Sequence, residues 1–195
     1  KVMSSTGAVS VWVTPWPWFF HDAVANNAIA PLNGHPRSNA GEAWRGLMLL
    51  LPTGEVLFFS QQASMSILAL DSPLATPNNA WRPGITNSPV AMVAGHSYVL
   101  TGTQFNGLSQ ACSYGDDAMV ATNYPIVRIT HNTNNKVVYL RTTNFSSMGI
   151  ATGATPQTVT VQVPGNIDTG QYSLEVIANG IASNAVTIQV AKQYC

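Results

Sequence analysis

Apolar and polar residues alternate with a period of two through Thr158-Val159-Thr160-Val161-Gln162-Val163, and again through Ala185-Val186-Thr187-Ile188-Gln189-Val190. Successive side chains of a strand point to opposite faces, so both runs predict half-buried strands with one wet face. Elsewhere the chain shows short runs of β-branched and aromatic residues bounded by Gly, Pro and Asn, and no helical period beyond one turn. The chain therefore reads as all-β. Further strands are predicted over 8–14, 46–51, 55–59 and 66–70 in the first half, and over 90–92, 97–103, 126–130, 137–142 and 172–178 in the second. Pro52-Thr53-Gly54 is a tight-turn signature that joins 47–51 to 56–59 in a hairpin. Its arms are nearly all apolar, a pattern suited to strands covered on both faces. Asn134-Asn135 and Asn179-Gly180 offer residues that tolerate positive φ at turns.

Pro73, Pro77, Asn78 and Asn79 mark a turn-rich connection, and a domain boundary is expected near Trp81. On this division residues 1–80 form an N-terminal β region with an aromatic arm and the apolar hairpin. Residues 81–195 hold about seven strands in about a hundred residues, the signature of an immunoglobulin-like sandwich.

The composition is 46% hydrophobic but only 8% charged, against about 25% charged in an average soluble domain. Asn, Thr, Ser, Gln and Gly must therefore cover the surface. Disorder needs low hydrophobicity with high net charge, and neither is present. Eight basic residues balance eight acidic ones, and no basic stripe is available to a phosphate backbone, so no nucleic-acid partner is expected. Zero net charge also removes repulsion between copies. No run of about 18 or more apolar residues predicts a membrane span. The start at Lys1, without an initiator Met, reads as a mature or excised product. The two cysteines, Cys112 and Cys195, lack other ligands at zinc spacing. In a chain so poor in charge they suggest an oxidising, secreted or cell-surface setting and a disulfide that staples the tail, two unrelated thiols being the alternative.

Several motifs occur in a recognisable order: Leu100-Thr101-Gly102-Thr103-Gln104-Phe105-Asn106-Gly107-Leu108-Ser109-Gln110, then Tyr114-Gly115-Asp116-Asp117, then Ala121-Thr122-Asn123-Tyr124-Pro125-Ile126-Val127-Arg128-Ile129-Thr130. With Ser146-Ser147-Met148-Gly149-Ile150-Ala151-Thr152 and Ala178-Asn179-Gly180-Ile181-Ala182-Ser183, they resemble the C-terminal early-set domain of bacterial galactose-oxidase-like and kelch-repeat proteins. Residues 45–60 resemble the last propeller hairpin that precedes this domain. The resemblance implies an immunoglobulin-like sandwich after a partial propeller blade. In the copper-radical oxidases of that family a sandwich loop presents a His to copper, and the resemblance places it within Arg141-Thr142-Thr143-Asn144-Phe145-Ser146. Thr143 and Phe145 stand there instead. No copper ligand, and so no cofactor, metal site or catalytic residue, is expected. A blade takes about 40–50 residues and a closed ring at least four blades, so at most one or two blades precede Trp81. The hairpin must then be covered by other chain or by neighbouring copies.

Three tryptophans and two phenylalanines crowd the arm Val9-Ser10-Val11-Trp12-Val13-Thr14-Pro15-Trp16-Pro17-Trp18-Phe19-Phe20. The arm has three readings: folded onto its own chain, donated as a strand to a neighbour, or a sugar-stacking platform. Val9, Val11, Trp12, Val13, Trp16, Trp18, Phe19 and Phe20 are the candidate assembly residues. Pro15 and Pro17 end any interior pairing. His21-Asp22 reads as a turn rather than a proton-transfer pair, since neighbours on an extended chain face apart. Asp116-Asp117 has the simpler role of turn hydrogen bonding beside a weak calcium signal. His131 falls in the turn between predicted strands, a poor place for a lone metal ligand. Asn144-Phe145-Ser146 fits the N-glycosylation pattern.

The expected function is a non-enzymatic extracellular structural or adhesive subunit that associates with other copies of itself, through a donated N-terminal strand and into a filament. The alternatives are a C-terminal fragment of a galactose-oxidase-like or kelch-repeat protein with catalysis elsewhere, and a carbohydrate-binding module using Trp12, Trp16 and Trp18.

Overall fold

The computed structural model describes residues 2–3, 9–10, 19–22, 28–31, 46–60, 64–68, 78–109 and 124–192. All regular structure among them is strand, apart from one 3-10 turn at Asn79–Trp81, so the chain is all-β. The described residues form two compact units. One holds the strands before residue 70 except the turn Leu50–Glu55; the other holds that turn and everything from Asn78 onward.

In the first unit β1 (Val2–Met3) pairs with β2 (Val9–Ser10), and β3 (Phe19–Asp22) pairs with β4 (Ala28–Pro31), both antiparallel. A three-stranded sheet runs β5 (Gly46–Leu50), β6 (Val56–Ser60), β7 (Ser64–Leu68). The expected hairpin is present. Gly54 N donates to Leu51 O at 2.9 Å, and Gly54 takes φ +88°, a left-handed conformation that glycine adopts without a Cβ clash. Among the described residues the burial of this sheet is uneven. Phe58 is buried, whereas Met65 and Ile67 on β7 are 71% and 59% exposed. Ile67 pairs with Leu57, on the face opposite Phe58; Leu57 is half-buried, while the β7 side chains on that face are exposed.

The second unit is a β-sandwich. One layer runs β8 (Gly84–Asn87), β10 (Ser97–Thr103), β13 (Gln157–Gln162) and the end of β12 (Val137–Thr143). The other runs from the start of β12 through β11 (Ile126–His131), β14 (Gly170–Ala178) and β16 (Val186–Ala191) to β9 (Ala91–Val93), with β15 (Ile181–Ala182) on β14. Two segments change layers. Val137–Leu140 pair with β11 and Arg141–Thr143 with β13; likewise β8 lies antiparallel to β10 while β9 runs parallel to β16.

The alternating runs do what their period demands. Val159, Val161 and Val163 from β13 and its exit, and Ile188 and Val190 from β16, are buried with Leu100, Ile129, Tyr172 and Leu174 in one core. Gln157 shares the inward parity of Val159 and is also buried; its Oε1 accepts from Phe105 N at 2.6 Å. A buried donor stripped of its partner costs about 1–3 kcal/mol. Gln157→Leu is therefore expected to lower stability by about that much in urea unfolding, and an unchanged midpoint would show the bond to be dispensable.

Candidate interaction surface

The turn Asn132–Asn135 that joins β11 to β12 closes with Asn135 N donating to His131 O and His131 N to Lys136 O, both at 2.9 Å, and Asn135 takes φ +57°. In an antiparallel ladder hydrogen-bonded pairs alternate with open ones. His131 with Lys136 is bonded, hence Ile129 with Val138 and Val127 with Leu140 are too. Val137 and Tyr139 consequently turn their N–H and C=O groups away from β11. Because β12 joins the other layer only from Arg141, no strand among the described residues pairs with this side of Val137–Leu140. Their side chains are bare as well, Val137 at 49% and Tyr139 at 47% exposed.

Beside this edge runs a half-open groove of about 200 Å³ lined by Lys136, Val138, Pro164, Asn166 and Ile167. Lys136 Nζ sits 2.9 Å from Asp168 Oδ2. Hydrogen bonding and charge in this pair raise the Lys136 ammonium and lower the Asp168 carboxyl relative to their usual ranges. Both stay ionised at neutral pH.

The outward row next to the edge reads Tyr139, Arg128, Glu175. Arg128 donates to Glu175 Oε2 through Nε at 3.0 Å and Nη2 at 2.7 Å. Burial pulls the guanidinium down, but hydrogen bonding and charge from Glu175, with Tyr139 behind them, outweigh it and hold the group above its ordinary value. The next row, Val137, Thr130, Ser173 and Thr187, is uncharged. Among the described residues this layer thus offers an outward face on which Arg128 is already satisfied by Glu175, and an apolar, hydrogen-bonding edge.

His131 is occupied structurally. Its Nδ1 accepts from Thr133 N at 3.1 Å and Asn134 N at 3.4 Å, which assigns the proton to Nε2, 3.3 Å from Thr169 O. No lone pair remains for a metal, and the ring packs edge-on against Tyr172 at 4.7 Å. Among the described residues no group of three or more His, Cys, Asp or Glu gathers. Asn144 is exposed at φ +52°, with Nδ2 only 3.5 Å from Thr160 Oγ1, while Phe145 packs on the core 6.0 Å from the Tyr124 ring. The segment in which the resemblance places a copper ligand therefore carries an exposed Thr143 and a core-facing Phe145.

Asn179-Gly180 forms the two-residue hairpin turn between β14 and β15, both at positive φ as a type I′ turn requires. The sequence marked that turn but not its second role. Asn179 Oδ1 accepts from Leu108 N and Ser109 N at 2.9 and 3.3 Å, and Nδ2 donates to Ser109 O at 2.9 Å, so the turn holds the loop after β10.

Of the candidate assembly residues, Val9 lies in β2, paired with Met3 of its own chain, and Phe19 and Phe20 lie in β3, opposite Pro31 and Ala30. His21-Asp22, read as a turn, is in fact the end of β3. Val11, Trp12, Val13, Trp16, Trp18, Cys112, Cys195, Asp116 and Asp117 lie outside the described residues.

No family model matches the chain, and no curated protein matches it. Among solved structures it is similar to a putative bacterial DNA binding protein from Bacteroides vulgatus, at 12% identity over 76% of this chain and 74% of that one, TM-score 0.35. A ceramidase complexed with C2 matches at 10% identity over 68% of this chain and 22% of that one, TM-score 0.31. The sialic acid binding region of a Streptococcus sanguinis SK1 adhesin matches at 10% identity over 76% and 37%, TM-score 0.21.

Proposed function

We propose that the chain is a non-enzymatic, extracellular structural or adhesive subunit that associates with copies of itself. The observation that supports this reading is apolar β surface left bare in the single chain: Met65 and Ile67 on the β5–β7 sheet, and Val137 and Tyr139 on the β12 edge. Scattered single apolar residues are normal on a surface, but a paired-strand face and an open edge are templates for association. Zero net charge leaves no long-range repulsion to oppose it. A disulfide between Cys112 and Cys195, a glycan on the exposed Asn144 and growth into a filament belong to the same proposal, as does kinship with the early-set domain of galactose-oxidase-like proteins.

Light scattering against protein concentration tests it. The mass is expected to rise above that of one chain as concentration increases, and non-reducing mass analysis of the unfolded protein is expected to find no free thiol. A constant single-chain mass up to high concentration would remove the self-association reading.

A further inference from the structure

We propose that two copies of this chain join edge to edge through β12, antiparallel about a two-fold axis at Val138, so that their β11-containing layers become one continuous sheet. This rests on the self-association reading and names the contact.

The register follows from which backbone groups are unpaired. Only Val137 and Tyr139 turn N–H and C=O groups to the open side of Val137–Leu140, so any bonded pair across the joint must come from these two. Setting Val137 against Tyr139 of the second copy satisfies both pairs at once and brings Val138 opposite itself in the closer, non-bonded position. Val137 and Tyr139 then form two apolar cross-strand pairs on the outer face. The two Val138 side chains meet beside a groove walled by Pro164 and Ile167. Setting Tyr139 against itself would instead place the exposed Arg141 opposite Val137, which loses an apolar pair.

Charge favours a second copy as the occupant. Exposed lysines on edge strands normally repel an incoming strand, but Lys136 is neutralised in place by Asp168. In the proposed register Lys136 faces Leu140 and Asn135 faces Arg141, so no like charges oppose one another across the joint. The edge is short, and a contact of this kind buries less than about 1,000 Å², which makes it a weak one that fills at high protein concentration or in an array.

Three forms of the full chain test the proposal. In Val138→Cys, mild oxidation is expected to give a covalent dimer, located by peptide mass analysis as a link between the two substituted positions, because non-bonded antiparallel neighbours lie at disulfide distance. In Val137→Lys with Tyr139→Lys, both exposed sites, four like charges meet, and association measured by sedimentation is expected to weaken about a hundredfold with an unchanged circular dichroism spectrum. Ser97→Lys, exposed on the other layer, is expected to change nothing. Association that persists in the double variant, without the cross-link, would overturn the β12 joint and leave self-association standing. Loss of association on deleting residues 1–20, again without the cross-link, would assign the contact to the N-terminal arm and equally overturn it. A wild-type chain that stays monomeric would overturn both readings.

Discussion

Gly102→Ala is expected to lower the stability of the sandwich by about 3 kcal/mol or more, a large effect for one methyl group. The reason is space. A Cβ at Gly102 would overlap the Gly84 carbonyl oxygen and the ring of Phe105. Gly102 is buried in β10, between Gln157 of β13 and Ile85 of β8, at a point where the β8 pairing shifts register. The missing side chain lets β8 come close and lets Phe105, 1% exposed, fold back over the strand. Neither contact can yield cheaply: one is backbone, and the other is the ring of a residue whose backbone N–H is held by Gln157. Gly165→Ala is the control, since nothing lies near its Cβ position and its φ is not in the left-handed region; it is expected to stay within about 0.5 kcal/mol of wild type. Urea unfolding of both variants decides, and a loss below about 1 kcal/mol at Gly102 would show that β8 can move away freely.

Tyr172→Ala is expected to cost about 3–5 kcal/mol, the range for emptying a buried aromatic site. Tyr172 is fully buried in the core, its ring meets His131 edge-on at 4.7 Å, and its hydroxyl donates to Asp168 O at 2.8 Å. Tyr172→Phe keeps the ring and removes the hydroxyl, so a loss of about 1 kcal/mol is expected. The two variants separate packing from hydrogen bonding; equal losses would contradict this assignment. Burial, then the Asp168 carboxylate, hold the phenol above its usual range. The folded state therefore binds that proton more tightly than the unfolded chain does. Its contribution is complete at neutral pH and is lost only as pH rises beyond about 10. Because the hydroxyl anchors the backbone of the residue whose carboxylate holds Lys136, Tyr172→Phe is also expected to speed amide exchange around residues 166–169 beside the β12 groove.

The alternating valines of β13 and the residues Val186, Ile188 and Val190 of β16 were legible as inward faces because a two-residue period has a single explanation in a strand. The Pro52-Thr53-Gly54 and Asn179-Gly180 turns were legible for a similar reason, since few residues accept their backbone angles. Five strands, β1, β3, β4, β8 and β15, were not legible, and β1 and β15 are only two residues long. β8 reads Gly84-Ile85-Thr86-Asn87, too short and too polar to show a period, and exists because β10 offers it an edge. β3 and β4 are likewise brief and identified by each other. The buried Gln157 has the parity of a core position but the chemistry of a surface one, and only the nearby N–H of Phe105 resolves the conflict.

The candidate interaction surface divides along the same line. That 137–142 is a strand, that Val137 and Tyr139 share a face and that the chain carries no net charge follow from the sequence alone, because each depends on local covalent geometry or on counting. That Val137–Leu140 form an open edge depends on β12 leaving one layer for the other at Arg141, and the neutralising of Lys136 depends on Asp168, 32 residues away. Such pairings are chosen by the best global match of strands and core side chains, so only the tertiary structure decides them.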